Sequence, residues 1–254
     1  PDPKPTESKV ACSSVLKVTN QFPKGCPRYT ACVIRGVKIG PSPAWMVRRL
    51  NAIGIKSINN VVDATNYVMM ESGQPLHAFD FDQIHGGEIL IRPARDKETF
   101  EAIDHRNYSL DSSMIVIADR DRAVALGGVM GGAQSEVSDA TVNVLIEAAD
   151  FEPLSIRKGA RALRLHSPSS FRYERRVDPA GLDWASRRCC QLILETAGGE
   201  LLSGVVDTGA DPSPRPSVLV RQSEIQRVLG ITIPQEATVR ILKSLGCEIQ
   251  TQSL

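Results

Sequence analysis

The sequence has almost no net charge: 30 basic and 29 acidic residues leave +1 over 254 residues. Bulk charge therefore selects no polyanionic partner, and any such partner must be met by a local patch. No apolar run reaches the roughly 18–20 residues that span a membrane, and the opening PDPKPTESKV has no apolar signal core. A soluble, cytoplasmic chain with no membrane partner is expected. Aromatic residues make up only 5%. The six cysteines (Cys12, Cys26, Cys32, Cys189, Cys190, Cys247) form no C-x-x-C pair and no matched Cys/His spacing, which argues against zinc and for a reducing compartment. Free buried thiols and no metal are the expectation. The proline-rich start and the polar stop QTQSL read as ends cut from a longer chain.

What is present is a 42% hydrophobic composition, enough for one sizeable core plus a fragment of a second. Residues 28–39, RYTACVIRGVKI, alternate as a strand. PSPAWMVRRLNAIG follows as a helix, with Met46, Leu50 and Ile53 at helical spacing. INNVVDATNYVMMESG predicts a second helix, capped at its asparagines and stopped at Gly73. GEILIRPA, MIVIADR, RAVAL and NVLIEA read as four short strands, and helices resume at 153–165 and 180–197. Strands clustered between helices, without steady alternation, predict an α+β fold with mixed or antiparallel sheets flanked by helices. DPSPRPS marks a linker at 211–215, and 216–254 read as strand, helix, turn, helix: the start of a second, helix-turn-helix-like domain. Residues 1–26 read as an extension or linker ahead of a domain at 27–210.

The most unusual stretch is ALGGVMGGAQSE, residues 125–136. It is not a G-x-x-x-x-G-K-[ST] phosphate loop, since no lysine follows, and it does not fit G-x-G-x-x-G. Its glycines serve either tight turning or a backbone bared to a small molecule. Glu147 ends an apolar strand, where burial of a carboxylate is expensive without a partner. His77 sits in a Pro/Gly-rich loop, and Thr65 and Asn66 lie on a helix. No Ser-His-Asp set or paired-carboxylate motif is present. Spacing alone leaves the reaction open.

Three long segments, GIKSINNVVDATNYVMMESGQPLHAFDFDQIHGG, AVALGGVMGGAQSEVSDATVNVLIEAADFEPLSIRK and LHSPSSFRYERRVDPAG, occur in this order. Together they resemble the tRNA-editing module of the bacterial phenylalanyl-tRNA synthetase β subunit, over about residues 27–208. The resemblance implies a module that hydrolyses tyrosine wrongly attached to tRNA(Phe). The parent class II ligase charges that tRNA elsewhere, with ATP and Mg, an α subunit and the rest of the β subunit; no cofactor is implied for this piece. By motif match the pocket would comprise Thr65, Asn66, His77, Gly131, Glu147, Ser167 and Ser169. Glu147 and a glycine-loop backbone group would hold the tyrosine hydroxyl, while His77 and Asn66 would orient the attacking water. An ionised glutamate accepts only, so it matches the one donor that distinguishes tyrosine from phenylalanine.

One segment departs from the resemblance. Where the family's commonest motif reads H-T-D-A-S-H-R-Y-E-R, this chain has HSPSSFRYER, with Ser167 for threonine, Pro168 for aspartate and Ser169 for alanine. Ser169 adds a polar group at the pocket border, which would move specificity toward another hydroxylated amino acid such as a tyrosine isomer. Arg157, Arg161 and Arg164 form a basic ridge expected to contact tRNA, opposite Ile156, Ala160 and Leu163. Arg172, Arg175 and Arg176 are expected to pair with Glu174 and Asp178. The competing readings are a non-catalytic tRNA-binding or subunit-assembly module with a decayed pocket, and a free-standing amino-acid-binding domain.

Overall fold

The computed structural model describes residues 2–209 and 217–250. In chain order the first unit holds β1 (Glu7–Ala11), β2 (Lys17–Asn20), β3 (Arg28–Arg35), α1 (Ala44–Ala52), α2 (Asn60–Ser72), β4 (Leu76–Asp80) and β5 (Glu88–Pro93). It continues with β6 (Glu98–Glu101), β7 (Asn107–Leu110), β8 (Ile115–Ala118), β9 (Ala123–Leu126), β10 (Met130–Gly131) and β11 (Asn143–Asp150). Then come α3 (Pro153–Ala162), α4 (Pro168–Tyr173), α5 (Leu182–Ala197), β12 (Glu200–Ser203) and β13 (Val206–Gly209). The chain divides into two compact units, Pro1–Pro212 and Ser213–Leu254. The second contains α6 (Gln222–Leu229) and α7 (Gln235–Ser244). Residues 217–221, expected as a strand, form none, and the expected linker at 211–215 lies outside the described residues.

The first unit is α+β with mixed sheets, as the sequence predicts. One sheet runs β1-β12-β3-β11-β4, with β13 also on β3; a second runs β10-β9-β8-β5-β2; β6 and β7 form a hairpin. Pairing is antiparallel except for β1 with β12 and β2 with β5. The period of two in β3 and β11 sorts their side chains to opposite faces. Tyr29, Ala31, Val33, Leu145 and Ala149 join the core shared with the second sheet. Cys32, Ile34, Val144 and Ile146 pack with residues of α1, α2 and α5. The first sheet is thus covered on both faces, so β3 reads as a nearly unbroken buried run.

The helices obey their local signals. In α2, Asn59 accepts from the N–H groups of Val61 and Val62, and Gly73 closes the other end at φ +82°. In α1, Met46 and Leu50 are buried, but Ile53 lies past the last turn and is half-exposed. Arg28, almost fully buried, holds Asp183 at 2.9 Å and Asp207 at 2.7 Å, tying α5 and β13 to β3. Cys12, Cys26, Cys32, Cys189 and Cys190 are free buried thiols, and Cys247 is free and exposed.

Residues 1–26 are no extension. β1 adds to the first sheet and β2 to the second, and Cys12 and Leu16 between them are buried in the shared core. Short, charged edge strands such as ESKVA and KVTN carry too little apolar pattern to stand out in a sequence. No helix among the described residues is long and apolar enough to cross a membrane.

Candidate functional site

Glu147 sits in the middle of β11, not at its end, with 6% of its surface exposed. Its register partner on β4 is His77, which is therefore a strand residue and not part of a loop. Pro75, just ahead of β4, starts the strand where a missing N–H costs least, and LHAFD then pairs along β11. Both side chains project toward the second sheet, as does Tyr29 two positions from Ala31, the partner of Glu147 on β3. The Tyr29 hydroxyl donates to Glu147 Oε2 at 2.9 Å, and no hydrogen bond reaches Oε1 among the described residues.

The glycine stretch forms the opposite wall. β9 and β10 make a hairpin whose turn carries Gly128 at φ +68°, a conformation costly for any side chain. At Gly131 a Cβ would stand 2.5 Å from His77 Cε1 and 2.7 Å from Nε2, so this position stays bare because the imidazole fills it. At Gly132 a Cβ would meet the Val124 carbonyl oxygen at 2.6 Å. The bared backbone thus receives a neighbouring ring and a neighbouring strand.

Three residues not singled out in the sequence complete the cluster: Tyr29, Gln74 and Tyr173. Gln74 Nε2 donates to the carbonyls of Pro75 (3.0 Å) and Ala149 (2.9 Å) and lies 3.2 Å from the Tyr173 hydroxyl. Tyr173 donates to the Pro75 carbonyl and stacks edge-on against Phe151. Gln74 Oε1 and His77 Nε2 are enclosed and have no hydrogen-bond partner among the described residues. Two orphaned polar atoms beside a buried carboxyl are unusual in a folded core and mark a place built for polar company. Gln74 and Tyr173 lie inside the quoted motif segments, but an amide next to Gly-Pro and a tyrosine in a basic run look structural until the fold gathers them.

Burial sets the protonation states. It raises the Glu147 pKa from 4.5 to about 7, against the lowering effect of the Tyr29 hydrogen bond. It pushes His77 down to about 4, so the imidazole is neutral at physiological pH. Although the His77 residue keeps some accessible surface, its Nε2 is sealed. Such a histidine is a weak base and acts better by holding a water or a donor in place than by taking a proton. Tyr29 and Tyr173 are both held well above the ordinary phenol value, first by burial and then by the charge of Glu147.

The other expected residues are placed around this centre with unequal success. Ser167 caps α4 in a reciprocal capping box with Ser170, and its hydroxyl donates to the Val129 carbonyl of the glycine hairpin at 2.8 Å. Pro168 takes the first helical position, where its fixed φ is an asset. Ser169 Oγ lies 4.0 Å from Met69 Sδ, one helical turn past Thr65 on α2. Thr65 spends its hydroxyl on the Val62 carbonyl of its own helix, at 2.7 Å. Asn66 is half-buried, and its side chain makes no hydrogen bond among the described residues. His77, Glu147 and Gly131 are therefore in one cluster, Ser167 is tied to its hairpin wall, and Ser169 links to α2; Thr65 and Asn66 are not joined to the carboxyl by direct contact.

The basic ridge is partly redrawn. Arg157 and Arg161 are exposed on α3, opposite buried Ile156 and Ala160. Arg164 lies beyond the helix, at φ +55°. Arg175 pairs with Glu174 as expected, whereas Arg172 donates to the Pro168 carbonyl and to Met70 Sδ, and Arg176 acts on Asp150 and Glu152. A groove of about 490 Å³ lined by Lys4, Glu7, Gln191 and Glu195, and a smaller one of about 90 Å³ beside Gly132, include neither Glu147 nor His77. Neither groove opens onto the polar cluster, where the His77 ring occupies the space that bare Gly131 leaves. No group of three or more metal-ligating side chains occurs among the described residues.

A family model described as B3/4 domain matches residues 25–198. Among curated proteins, the chain is 58% identical over 243 residues to the phenylalanine–tRNA ligase beta subunit of Rhodopirellula baltica, covering 96% of this chain and 36% of that protein. It is 46% identical to the beta subunit of Anaeromyxobacter dehalogenans, covering 98% and 31%. The chain thus spans about a third of the length of these relatives. Among solved structures it is similar to an N-terminal fragment of the phenylalanyl-tRNA synthetase beta-subunit from Pyrococcus horikoshii, with 12% identity and a TM-score of 0.49 over 96% of this chain and 68% of that one.

Proposed function

Because the chain belongs to the B3/4 domain family, we propose that it is the proofreading part of a phenylalanine–tRNA ligase β subunit, hydrolysing tyrosine esterified by mistake to tRNA(Phe). The observation that carries this reading is the Glu147 carboxyl, enclosed between two sheets beside the unpaired His77 Nε2, with Oε1 left as an acceptor. A tyrosine hydroxyl donates to that oxygen. A phenylalanine ring leaves it unpaired in a dry site, which disfavours the correct amino acid and spares it.

In this reading the reaction needs little from the protein. Water adds to the ester carbonyl, the ester C–O bond breaks, and tyrosine leaves with the terminal hydroxyl restored on the tRNA. His77, neutral at pH 7, is the first candidate to orient the attacking water, and Asn66 on α2 is the second. In this reading the tRNA's own terminal hydroxyl assists the attack. The charging chemistry, with its ATP and Mg, its class II site and its α subunit, belongs to the remainder of a cytoplasmic synthetase.

Release of tyrosine from Tyr-tRNA(Phe) tests the reading. The chain, and a full β subunit with its partner, should release tyrosine faster than phenylalanine, and Glu147→Ala should cut the tyrosine rate about 10- to 100-fold, the worth of a hydrogen bond to a charged group. A rate equal to spontaneous decay in the full enzyme rejects hydrolysis. That outcome would favour the binding-module reading, to which Tyr29's hold on one Glu147 oxygen lends support.

A further inference from the structure

Residues 157–176 contain seven basic side chains, Arg157, Lys158, Arg161, Arg164, Arg172, Arg175 and Arg176, and one acidic side chain, Glu174. In a chain of net charge +1 this is the local patch that bulk composition hides. The fold gathers it onto α3 and α4, which pack against each other. Arg157, Lys158, Arg161 and Arg164 are exposed and form no ion pair among the described residues. Glu174 is engaged by Arg175, and Arg176 faces Asp150 and Glu152, so the uncompensated charge lies on the other five.

A solvated basic face is common and by itself signifies little. Two further observations separate this one. Phe171, on the same short helix, is 56% exposed, and the Arg175 guanidinium lies 3.7 Å over its ring centroid. An aromatic face held out into solvent beside a stacked arginine is the form of a nucleobase platform. In addition, Arg164 lies two residues past the end of α3 and Arg176 three past the end of α4, both left-handed, at φ +55° and +69°. Around Arg164 the closing bonds run from its own N–H to Arg161 and from Leu165 to Ala160, the Schellman arrangement in which glycine is the inexpensive choice. Keeping arginine there sacrifices stability for a side chain, which points to use of that side chain.

We propose that the outer face of α3 and α4 binds single-stranded RNA, with an unpaired base stacked on Phe171 and the adjoining phosphates held by Arg161, Arg164 and Arg172. That the strand is the unpaired 3′ end carrying the ester rests on the function proposed above. α4 supports that identification: its first turn carries Ser167 and Ser169, its inner face carries Tyr173 against the Glu147 cluster, and its outer face carries Phe171. At 1.5 Å per residue, Phe171 lies only about 3 Å along the axis from Ser169. One helix thus reads the nucleotide on one side and closes the amino-acid site on the other.

Fluorescence anisotropy of the 254-residue chain with a labelled single-stranded RNA dodecamer ending in CCA tests this directly. Phe171→Ala should weaken binding roughly tenfold or more, the scale of one stacked base, and Phe171→Trp should restore it. Arg161→Gln with Arg164→Gln should flatten the slope of log affinity against log salt by about 0.7 for each phosphate that is no longer neutralised. A blunt duplex should bind less well than the single strand. Unchanged affinity in Phe171→Ala overturns the platform, as does competition by an acidic peptide of matched charge as effective as by RNA, which would make the face a protein-docking surface. Because binding is measured without chemistry, its failure is distinct from failure of the hydrolysis reading. Where hydrolysis occurs, Phe171→Ala should raise KM for Tyr-tRNA and leave kcat unchanged, and a drop in kcat alone would overturn the assignment.

Discussion

Glu147 is held in the fold against its own ionisation. Its pKa is about 7 when folded and 4.5 in an open chain, so the folded state favours the protonated form, and its contribution to stability falls as pH rises from below 4.5 through 7. The shift corresponds to about 3 kcal/mol at full ionisation. Glu147→Gln, which still accepts from Tyr29, should therefore be more stable than the parent by up to about 3 kcal/mol at pH 8 and nearly equal to it at pH 4, as read by urea unfolding at the two pH values. His77 adds the opposite trend in both proteins, since a base depressed to about 4 loses stability below its ordinary 6.5. The neighbour of Glu147 is the second lever. The Tyr29 hydroxyl lowers the Glu147 pKa, so Tyr29→Phe should move the midpoint of the Glu147-dependent tyrosine-release rate to higher pH. A profile that stays in place would mean that Tyr29 does not tune the carboxyl. None of this is visible in the sequence, which marks Glu147 and His77 as out of place in apolar company but gives no means of knowing that Tyr29, 118 positions away in the chain, supplies the first partner.

At the level of elements, the glycine hairpin and the helix ends carry the testable strain. Gly131 and Gly132 look alike in sequence, but a Cβ at Gly131 meets a side-chain ring while one at Gly132 meets backbone. Rings swing and strands do not, so Gly132→Ala should cost more, about 2–3 kcal/mol against about 1 for Gly131→Ala, on the scale of core overpacking. Gly131→Ala should nonetheless be the more damaging to tyrosine release, since it displaces His77. Thermal melts and the hydrolysis assay, run on both variants, would separate these effects. At the end of α3, Arg164→Gly relieves a left-handed side chain and should stabilise the protein by about 0.5–1 kcal/mol while weakening RNA binding; a loss of stability would show that Arg164 is retained for the fold. The elements legible in advance were those with strong local signals: α2 between its asparagine cap and Gly73, β3 and β11 with their apolar runs, α5 with its long apolar face. β4 was missed because its five residues follow directly on a Gly-Gln-Pro turn, and their strand character comes from pairing with β11. The hairpin of β6 and β7 was missed because ETFE and NYSL are too short and polar to show a period.

For the whole molecule, the first twenty residues decide how the layers are joined. A proline-rich, charged opening reads as dispensable, and local composition offers no contrary sign. Yet the segment crosses from the edge of one sheet to the edge of the other, pairing β1 with β12 and β2 with β5, and buries Cys12 and Leu16 between them. Non-local pairing of this kind is what a sequence conceals, since neither strand is specified by its own residues. The same core contains the Glu147 face of the first sheet, so the site is a property of two sheets held in register and not of the motifs alone. A chain beginning at residue 21 should therefore lose more than about 3 kcal/mol, because two buried side chains are removed and the edges of β12 and β5 are uncovered. Its urea midpoint should fall, and tyrosine release should fall with it even though every motif residue is retained. If the shortened chain unfolds at the parent's midpoint, the opening is an appendage after all and the sheets keep their spacing without it. If it unfolds earlier but hydrolyses normally while folded, the strap serves stability alone, and the cluster around Glu147 is positioned by β3, β4 and β11 themselves.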